Sequence, residues 1–585
     1  MGAYLAVSYD PDHPGAETLS NEVKRLAGTH ASQTLPLGRF AWMAATGPHP
    51  PKVLAIGSWM LIGDVFDRHR PIMPSVTEDD PYLFERKLVA RVWGRYVGVQ
   101  ISGQGGICNI LRDPSGAVEA IAWVQDGVTI VTSTLPRWLV EFFKPDWRID
   151  FTALEMALRD PLAASGDIPL LGPTTVAPGT IQPLPLDLAA QSIWSPIAFA
   201  RRGRDRALDQ TEAETLLRSS LDEAVRGLAG LPEGLAAEVS GGLDSSIVAA
   251  SLVHGAPASI RGWFNAHGAT PESDERRFVA ALATKLGIAP QSVPLAVGTV
   301  TEALLERISG GVRPGLNALD MHHDLDWAQR VPATGAGAIM TGKGGDGILV
   351  QAATGDVFTD LWLQKRWRAL GSGDVVPLAR GNEVSVWTLV REARAFGRTG
   401  PRRPTRDTGL LRPAVDAPAI HPWLDGAEIF GPGKTFQIAA AIDNISRHGP
   451  SLQTEVIDVL HPLCAQPVVE ACLTIPTPMM TVGGRDRGLA RQAFADRLPK
   501  AILDRRSKGD LTCIYGRMIL DSLPFLRPWL LDGRLAARGI LDRAAADDLL
   551  TRESLMWRGA YGEIMIAAVF EAWVRVWEAR LGRRD

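Results

Sequence analysis

The sequence predicts two joined folds. A β-rich α+β domain comes first, and an α/β domain with a parallel sheet and a helical C-terminal part follows it. Three observations predict this. Residues 1–200 carry short apolar stretches divided by turn signals. Residues 232–350 alternate short apolar strands with helices, the pattern of a parallel sheet with crossover helices. Residues 436–585 keep mostly helical spacing, as in GEIMIAAVFEAWVRVWEARLG.

Taken in order, VLAIGSWMLIGDVF, RYVGVQIS, AVEAIAWVQ and VTIVTS read as strands. Asp126-Gly127 joins the last two as a tight hairpin turn. The polar run around Arg201, Arg202, Arg204 and Arg206 predicts a flexible linker over 201–210, between a domain at 1–200 and one at 211–585. TEAETLLRSSLDEAVRGLAGL then opens the second domain as a helix. Residues 235–239 predict a strand, 245–254 a helix, ASIRGWFNA a strand, SDERRFVAALATKLG a helix and GAIMTG a strand. Residues 370–435, rich in Gly, Pro and Arg, predict a long and partly mobile insertion.

Composition excludes several classes. Of 585 residues, 46% are hydrophobic and 22% charged, which rules out wholesale disorder. A net charge of −4 argues against a general nucleic-acid partner. Cys108, Cys464, Cys472 and Cys513 are too few and scattered for a disulfide framework, and none forms a CxxC pair. A reduced, cytoplasmic setting follows as an expectation. The N-terminal segment does not resemble a secretory signal, and no apolar run approaches the roughly 20 residues of a membrane helix. No membrane partner is expected.

The sharpest motif is Ser240-Gly241-Gly242-Leu243-Asp244-Ser245-Ser246, between an apolar strand and an apolar helix. Its glycines let backbone N–H groups approach an anion, and Ser245 and Ser246 bring hydroxyls to a helix N-terminus, where phosphate is favoured. Asp244 fits beside phosphate when Mg²⁺ bridges the two. The loop lacks the GxxxxGK[ST] pattern of kinases and GTPases.

These residues resemble the SGGxDS loop of the ATP pyrophosphatases, and the whole chain resembles the asparagine synthetase B-type superfamily. The resemblance implies an N-terminal glutaminase-like sandwich of the N-terminal-nucleophile type, followed by an ATP-pyrophosphatase domain. Thr341-Gly342-Lys343-Gly344-Gly345-Asp346 resembles the second ATP motif, so Asp244 and Asp346 would share Mg²⁺ across the phosphates of ATP. By the same resemblance Ser240, Gly241, Gly242, Ser245 and Ser246 would cradle pyrophosphate, and Met340 and Gly342 would lie near adenine. RDRGLARQAFADRLPKAILDRRSKGDLT resembles the stretch ending in a catalytic Lys, here Lys508, beside Arg505 and Arg506. HPLCAQPVVEACLTIP, residues 461–476, resembles the preceding helix; its His461, Cys464 and Cys472 read as packing residues.

Two departures matter. Active amidotransferases of this group carry Cys after Met, whereas this chain has Gly2, with no side chain to attack glutamine. At position 343 asparagine synthetases carry an acid and β-lactam synthetases a Tyr, whereas this chain has Lys343. The base that deprotonates the attacking amine is therefore open; Asp443, Glu455 and Asp458 are candidates by region only.

The resemblance implies a lasso peptide cyclase. ATP would adenylate an Asp or Glu side chain of a leader-free precursor peptide, and the peptide's own α-amine would close an isopeptide ring, releasing AMP and pyrophosphate. A precursor peptide and a leader peptidase would be its partners. The alternatives are an ammonia-dependent asparagine synthetase, a β-lactam-type amide synthetase, or a degenerate scaffold subunit.

Overall fold

The computed structural model describes every residue except 1, 48, 70–76, 161, 207, 256–258, 400–408, 413–420, 507–508, 510 and 583–585. The N-terminal half folds as two facing antiparallel sheets of six strands each. The first holds Tyr4–Tyr9, Ala41–Ala45, Ile121–Gln125 and Val128–Thr132 at its centre. The second is built on Trp59–Asp67, Val92–Ile101 and Ile107–Arg112. Alternation decides the facing: Tyr4, Ala6 and Met43 of one sheet meet Ile62, Val97, Val99 and Ile110 of the other. Leu5 and Val7 point the opposite way, into a cluster with the helices Ala16–Gly28 and Tyr561–Arg580. With both faces covered, the strands read as continuous apolar runs. The Asp126-Gly127 turn is the expected one, with φ of 49° and 73° and Gln125 paired to Val128.

The outer face of the second sheet, through Trp59, Leu61, Trp93 and Leu111, shares one cluster with Leu217 and Leu221 of the helix Gln210–Ala229 and with Leu235 and Ala237 beyond it. The expected linker proves to be ordered along most of its length. Pro196–Asp205 is a helix capped by Ser195, whose hydroxyl accepts from the Ile197 N–H. Ile197, Phe199, Ala200 and Gly203 form its buried stripe, and Gly203 lies so close to Thr474 that a Cβ would stand 1.9 Å from the Thr474 carbonyl. The arginines that suggested a linker are the outward stripe of an amphipathic helix.

The second half is built on a five-stranded parallel sheet. Its order is Pro290–Pro294, Ile260–His267, Leu235–Glu238, Ala338–Met340, Asp458–Leu460. The strand earliest in sequence is central, so the order reverses between Leu235–Glu238 and Ala338–Met340. Ligands of open α/β sheets bind at the carboxyl ends of such strands. The two edge strands escaped the sequence reading: PQSVP is bracketed by prolines, which edges tolerate, and Asp458–Leu460 is only three residues long.

In the expected insertion, Val375–Gly381 and Val386–Thr399 are helices packed on Phe358 and Trp362; residues 400–408 and 413–420 lie outside the described residues. Buried charge pins the halves together. Arg95 holds Asp64 of its own sheet and, at 2.7 and 2.9 Å, Asp458 of the parallel sheet. Arg313 holds Glu119 at 2.7 Å. Among the described residues no helix is long and apolar enough to cross a membrane.

Candidate active site

Both Gly-rich loops sit at the switch point. After Leu235–Glu238 the chain turns through the SGGLDSS loop into the helix Leu243–Gly255, two residues earlier than the apolar pattern suggested. The loop is stitched by its own hydroxyls: Ser245 Oγ accepts from the Ser240 N–H at 3.1 Å and lies 3.0 Å from Ser240 Oγ. Ser246 Oγ donates to the Gly242 carbonyl at 2.6 Å. Glycines of the second loop permit contact between the two. A Cβ on Gly342 would lie 2.4 Å from the Ser245 nitrogen, and one on Gly345 would lie 2.6 Å from the Asp244 carboxyl carbon.

Between them lies a cleft of about 440 Å³. Ser240, Gly242, Asp244 and Ser245 line it from the first loop, and Gly342, Lys343 and Asp346 from the second. Arg487, Arg505 and Arg506 line the facing wall, all from the third segment picked out in the sequence. Three expected ligands stand back from this lining. Met340 is fully buried in the core beneath the sheet. Ser246 is buried with its hydroxyl spent on Gly242. Gly241 offers its carbonyl to Arg505 Nη1 at 3.0 Å. Lys508 lies outside the described residues.

Asp244 and Asp346 converge as expected, on a group the sequence reading did not single out. Arg487 Nη1 donates to Asp244 Oδ2 at 2.8 Å and to Asp346 Oδ1 at 3.0 Å. Burial works against the Arg487 charge, and Asp244, Asp346 and Asp486 outweigh it, holding its pKa above the ordinary value. A pair of carboxylates that gathers a cation beside Gly-bearing loops suits Mg²⁺ shared with phosphates. Arg487 sits in RDRGLAR, where it is one of four charged residues around Gly488, Leu489 and Ala490, so nothing in the pattern marks it out.

The wall segment is latched in place. Arg505 pairs with Glu275 and lies 4.1 Å from the Phe278 ring centroid, while the Gly509 N–H donates to Glu275 at 2.8 Å.

The acids proposed by region are all engaged elsewhere and line no part of the cleft. Asp443 pairs with Arg447 at 2.6 Å, Glu455 with Arg307 at 2.6 Å, and Asp458 with Arg95. A different group adjoins the cleft. Lys343 Nζ meets Asp320 Oδ2 at 2.9 Å, and Tyr515 Oη donates to Asp320 Oδ1 at 2.7 Å. His323 Nε2 lies 3.1 Å from Glu238 Oε1. Burial pushes Asp324 up to about 7, only partly offset by Lys343. Asp320 moves the other way: burial raises it, but Lys343 and the Tyr515 hydroxyl together hold it well below the carboxylate range. Glu238 was visible in sequence as a lone acid in an apolar strand, and Asp320 and Asp324 as acids four apart at a helix start.

His461, Cys464 and Cys472 are packing residues, as expected. His461 Nδ1 lies 2.8 Å from Thr341 Oγ1, and burial pushes both thiols up to about 12. Among the described residues no three His, Cys, Asp or Glu side chains gather as a metal cluster.

No curated protein matches the chain closely enough to count as a relative. Residues 216–575, more than half of its length, match the asparagine synthase family, and they contain both loops, both aspartates and the arginine wall. The protein belongs to the asparagine synthase family, whose members are ATP-dependent amide-forming ligases that produce AMP.

Proposed function

We propose that the protein is a lasso peptide cyclase. It would activate an Asp or Glu side chain of a leader-free precursor peptide with ATP and join it to the peptide's own α-amine. The observation that carries this reading is at residue 2. Gly2 donates its N–H to the His49 carbonyl at 2.8 Å, and a Cβ there would stand 2.0 Å from the Thr46 carbonyl. The position lacks a nucleophile and the room for one. A nitrogen source other than glutamine is then required, and a peptide carrying both carboxylate and amine supplies it. The paired sheets of the N-terminal half support reading it as a glutaminase-like sandwich without that chemistry.

The loop N–H groups and the start of Leu243–Gly255 would bind pyrophosphate, and Arg505 and Arg506 would face it from the opposite wall. Mg²⁺, held by Asp244 and Asp346, would neutralise phosphate charge. Lys508 would stabilise charge in the adenylation and acyl-transfer steps, as the family resemblance implies. Carboxylate is a poor electrophile, and its adenylate carries a good leaving group. A pre-folded peptide makes the attack unimolecular, worth several kcal/mol.

A second reading, amide formation from ammonia, draws support from the carboxylates beside the cleft, which suit a small ammonium ion. Liquid chromatography with mass spectrometry separates the two. Purified protein with ATP and Mg²⁺ receives aspartate plus ammonia in one tube, and linear peptides with an N-terminal Gly and an internal Asp or Glu in another. AMP with a peptide lighter by one water supports the cyclase. AMP with asparagine in the first tube alone would replace it with the ammonia-using synthetase.

A further inference from the structure

Beyond the phosphate side, the cleft adjoins a charged group that the nucleotide does not account for. Glu238 and Lys343 line the cleft and also belong to this group. Asp320 immediately precedes the helix Met321–Ala333 without capping it through its side chain, and Asp324 stands one turn further along. Tyr515 approaches from the helix Thr512–Leu531. Three carboxylates thus meet one lysine and one histidine.

The accounting of partners leaves one acid over. Lys343 and Tyr515 are committed to Asp320, and His323 to Glu238. Asp324 is 3% exposed, and its carboxylate receives no hydrogen bond from any described residue. Lys343, Asp320, His323 and Glu238 are the charged groups that face it. The buried Nδ1 of His323 also has no hydrogen-bond partner among the described residues. A buried acid without a donor is costly to keep, and such groups concentrate where a ligand completes them. The complement is a cation with several N–H donors.

We propose that Asp320, Asp324 and Glu238 form the subsite for the acceptor's primary ammonium, with Asp324 taking its proton. The proposal rests on the amide-ligase reading for its chemistry, and on side-chain geometry for the subsite itself. It also narrows the acceptor class. A free amino acid would bring its own carboxylate toward three others, which is repulsive. An amine whose neighbouring carbonyl is an amide, as at a peptide N-terminus, avoids this.

The step balances as follows. The ammonium gives one proton to the Asp324 carboxylate, and the freed lone pair forms the C–N bond. The acyl C–O bond to the nucleotide phosphate breaks, and its electron pair leaves on AMP. The second proton on nitrogen passes to the departing phosphate monoester, whose second pKa is about 6. The amide, a protonated Asp324 and singly protonated AMP remain.

Calorimetric titration of the full chain with glycinamide and with glycine tests the subsite. Glycinamide is expected to bind at least about tenfold more tightly than glycine, and Asp324→Asn and Asp320→Asn should each weaken it about tenfold. Should Asp324→Asn fail to fold, Lys343→Met tests the same charge logic with the opposite sign, since glycinamide binding should tighten. In turnover, Asp324→Asn should slow transfer to an amine about 100-fold. Equal binding of the two probes, or unchanged glycinamide binding in both aspartate variants, would overturn the proposal. If the binding pattern holds while the parent forms no AMP from any carboxylate, the ligase reading falls and the subsite stands.

Discussion

Asp244 and Asp346 bind the same nitrogen of Arg487, at 2.8 and 3.0 Å, although they belong to loops that follow different strands of the parallel sheet. Two carboxylates brought this close repel each other unless a cation stands between them. Asp244→Ala or Asp346→Ala is therefore expected to lower AMP formation by at least about 100-fold, as measured by nucleotide chromatography. Turnover surviving in either variant would mean that ATP binds elsewhere.

Glu275 holds the cleft's arginine wall from outside. It pairs with Arg505 and accepts from the Gly509 N–H, so one side chain ties both ends of residues 505–509. Glu275→Ala strands a largely buried guanidinium, at a cost of roughly 1–3 kcal/mol locally. Trypsin should then cut after Arg505 or Arg506 about tenfold faster than in the parent. Identical digestion rates would count against the latch.

Position 2 should resist any attempt to restore a nucleophile. Gly2→Cys or Gly2→Ala pushes a Cβ against the Thr46 and His49 carbonyls, at 2.0 and 2.9 Å. A loss of roughly 1–3 kcal/mol is expected, read as a lower melting temperature, without glutamine hydrolysis in the Cys variant. Glutamate release from glutamine by Gly2→Cys would refute this account of the N-terminal half.

Asp324 makes two pH predictions with a common origin. Burial raises it from 3.8 to about 7, with Lys343, Asp320, His323 and Glu238 facing it. Between those values the folded chain keeps a proton that the unfolded chain has lost. The stability drawn from this group is therefore complete below the lower value and falls as pH rises through the higher one. Amide transfer needs the ionised form and should climb through about pH 7. Asp324→Asn should flatten both slopes, in denaturant titrations and in the pH–rate profile.

Much of the site was legible because it is local. Two glycines, an acid and three serines in seven residues directly after a strand leave little freedom, and the second loop repeats the logic. What stayed hidden is assembled from afar. Tyr515 meets Asp320 across 195 residues of sequence, and Arg487 reaches Asp244 across 243. Such pairings leave no periodic trace. Conversely, the Arg-rich run at 201–206 carried a strong but misleading trace, because Arg201, Arg202 and Arg204 of the helix, with Arg206 just past its end, masked a buried stripe formed by Ile197, Phe199, Ala200 and Gly203. Met340 misled in another way: Gly342, two residues on and already past the end of the strand, lines the cleft, whereas Met340 closes the strand Ala338–Met340 and is fully buried in the core.

The cluster that runs from Trp59 and Trp93 through the helix Gln210–Ala229 to Leu235 has a practical consequence. Cutting the chain before residue 210 would strip the apolar lining from one side of that helix and leave Asp458 without the Arg95 guanidinium that closes the sheet's far edge. The excised C-terminal portion should precipitate or need a solubilising partner, and designers seeking a minimal ligase would do better to trim loops than halves. The front of the molecule works as the keel of the rest.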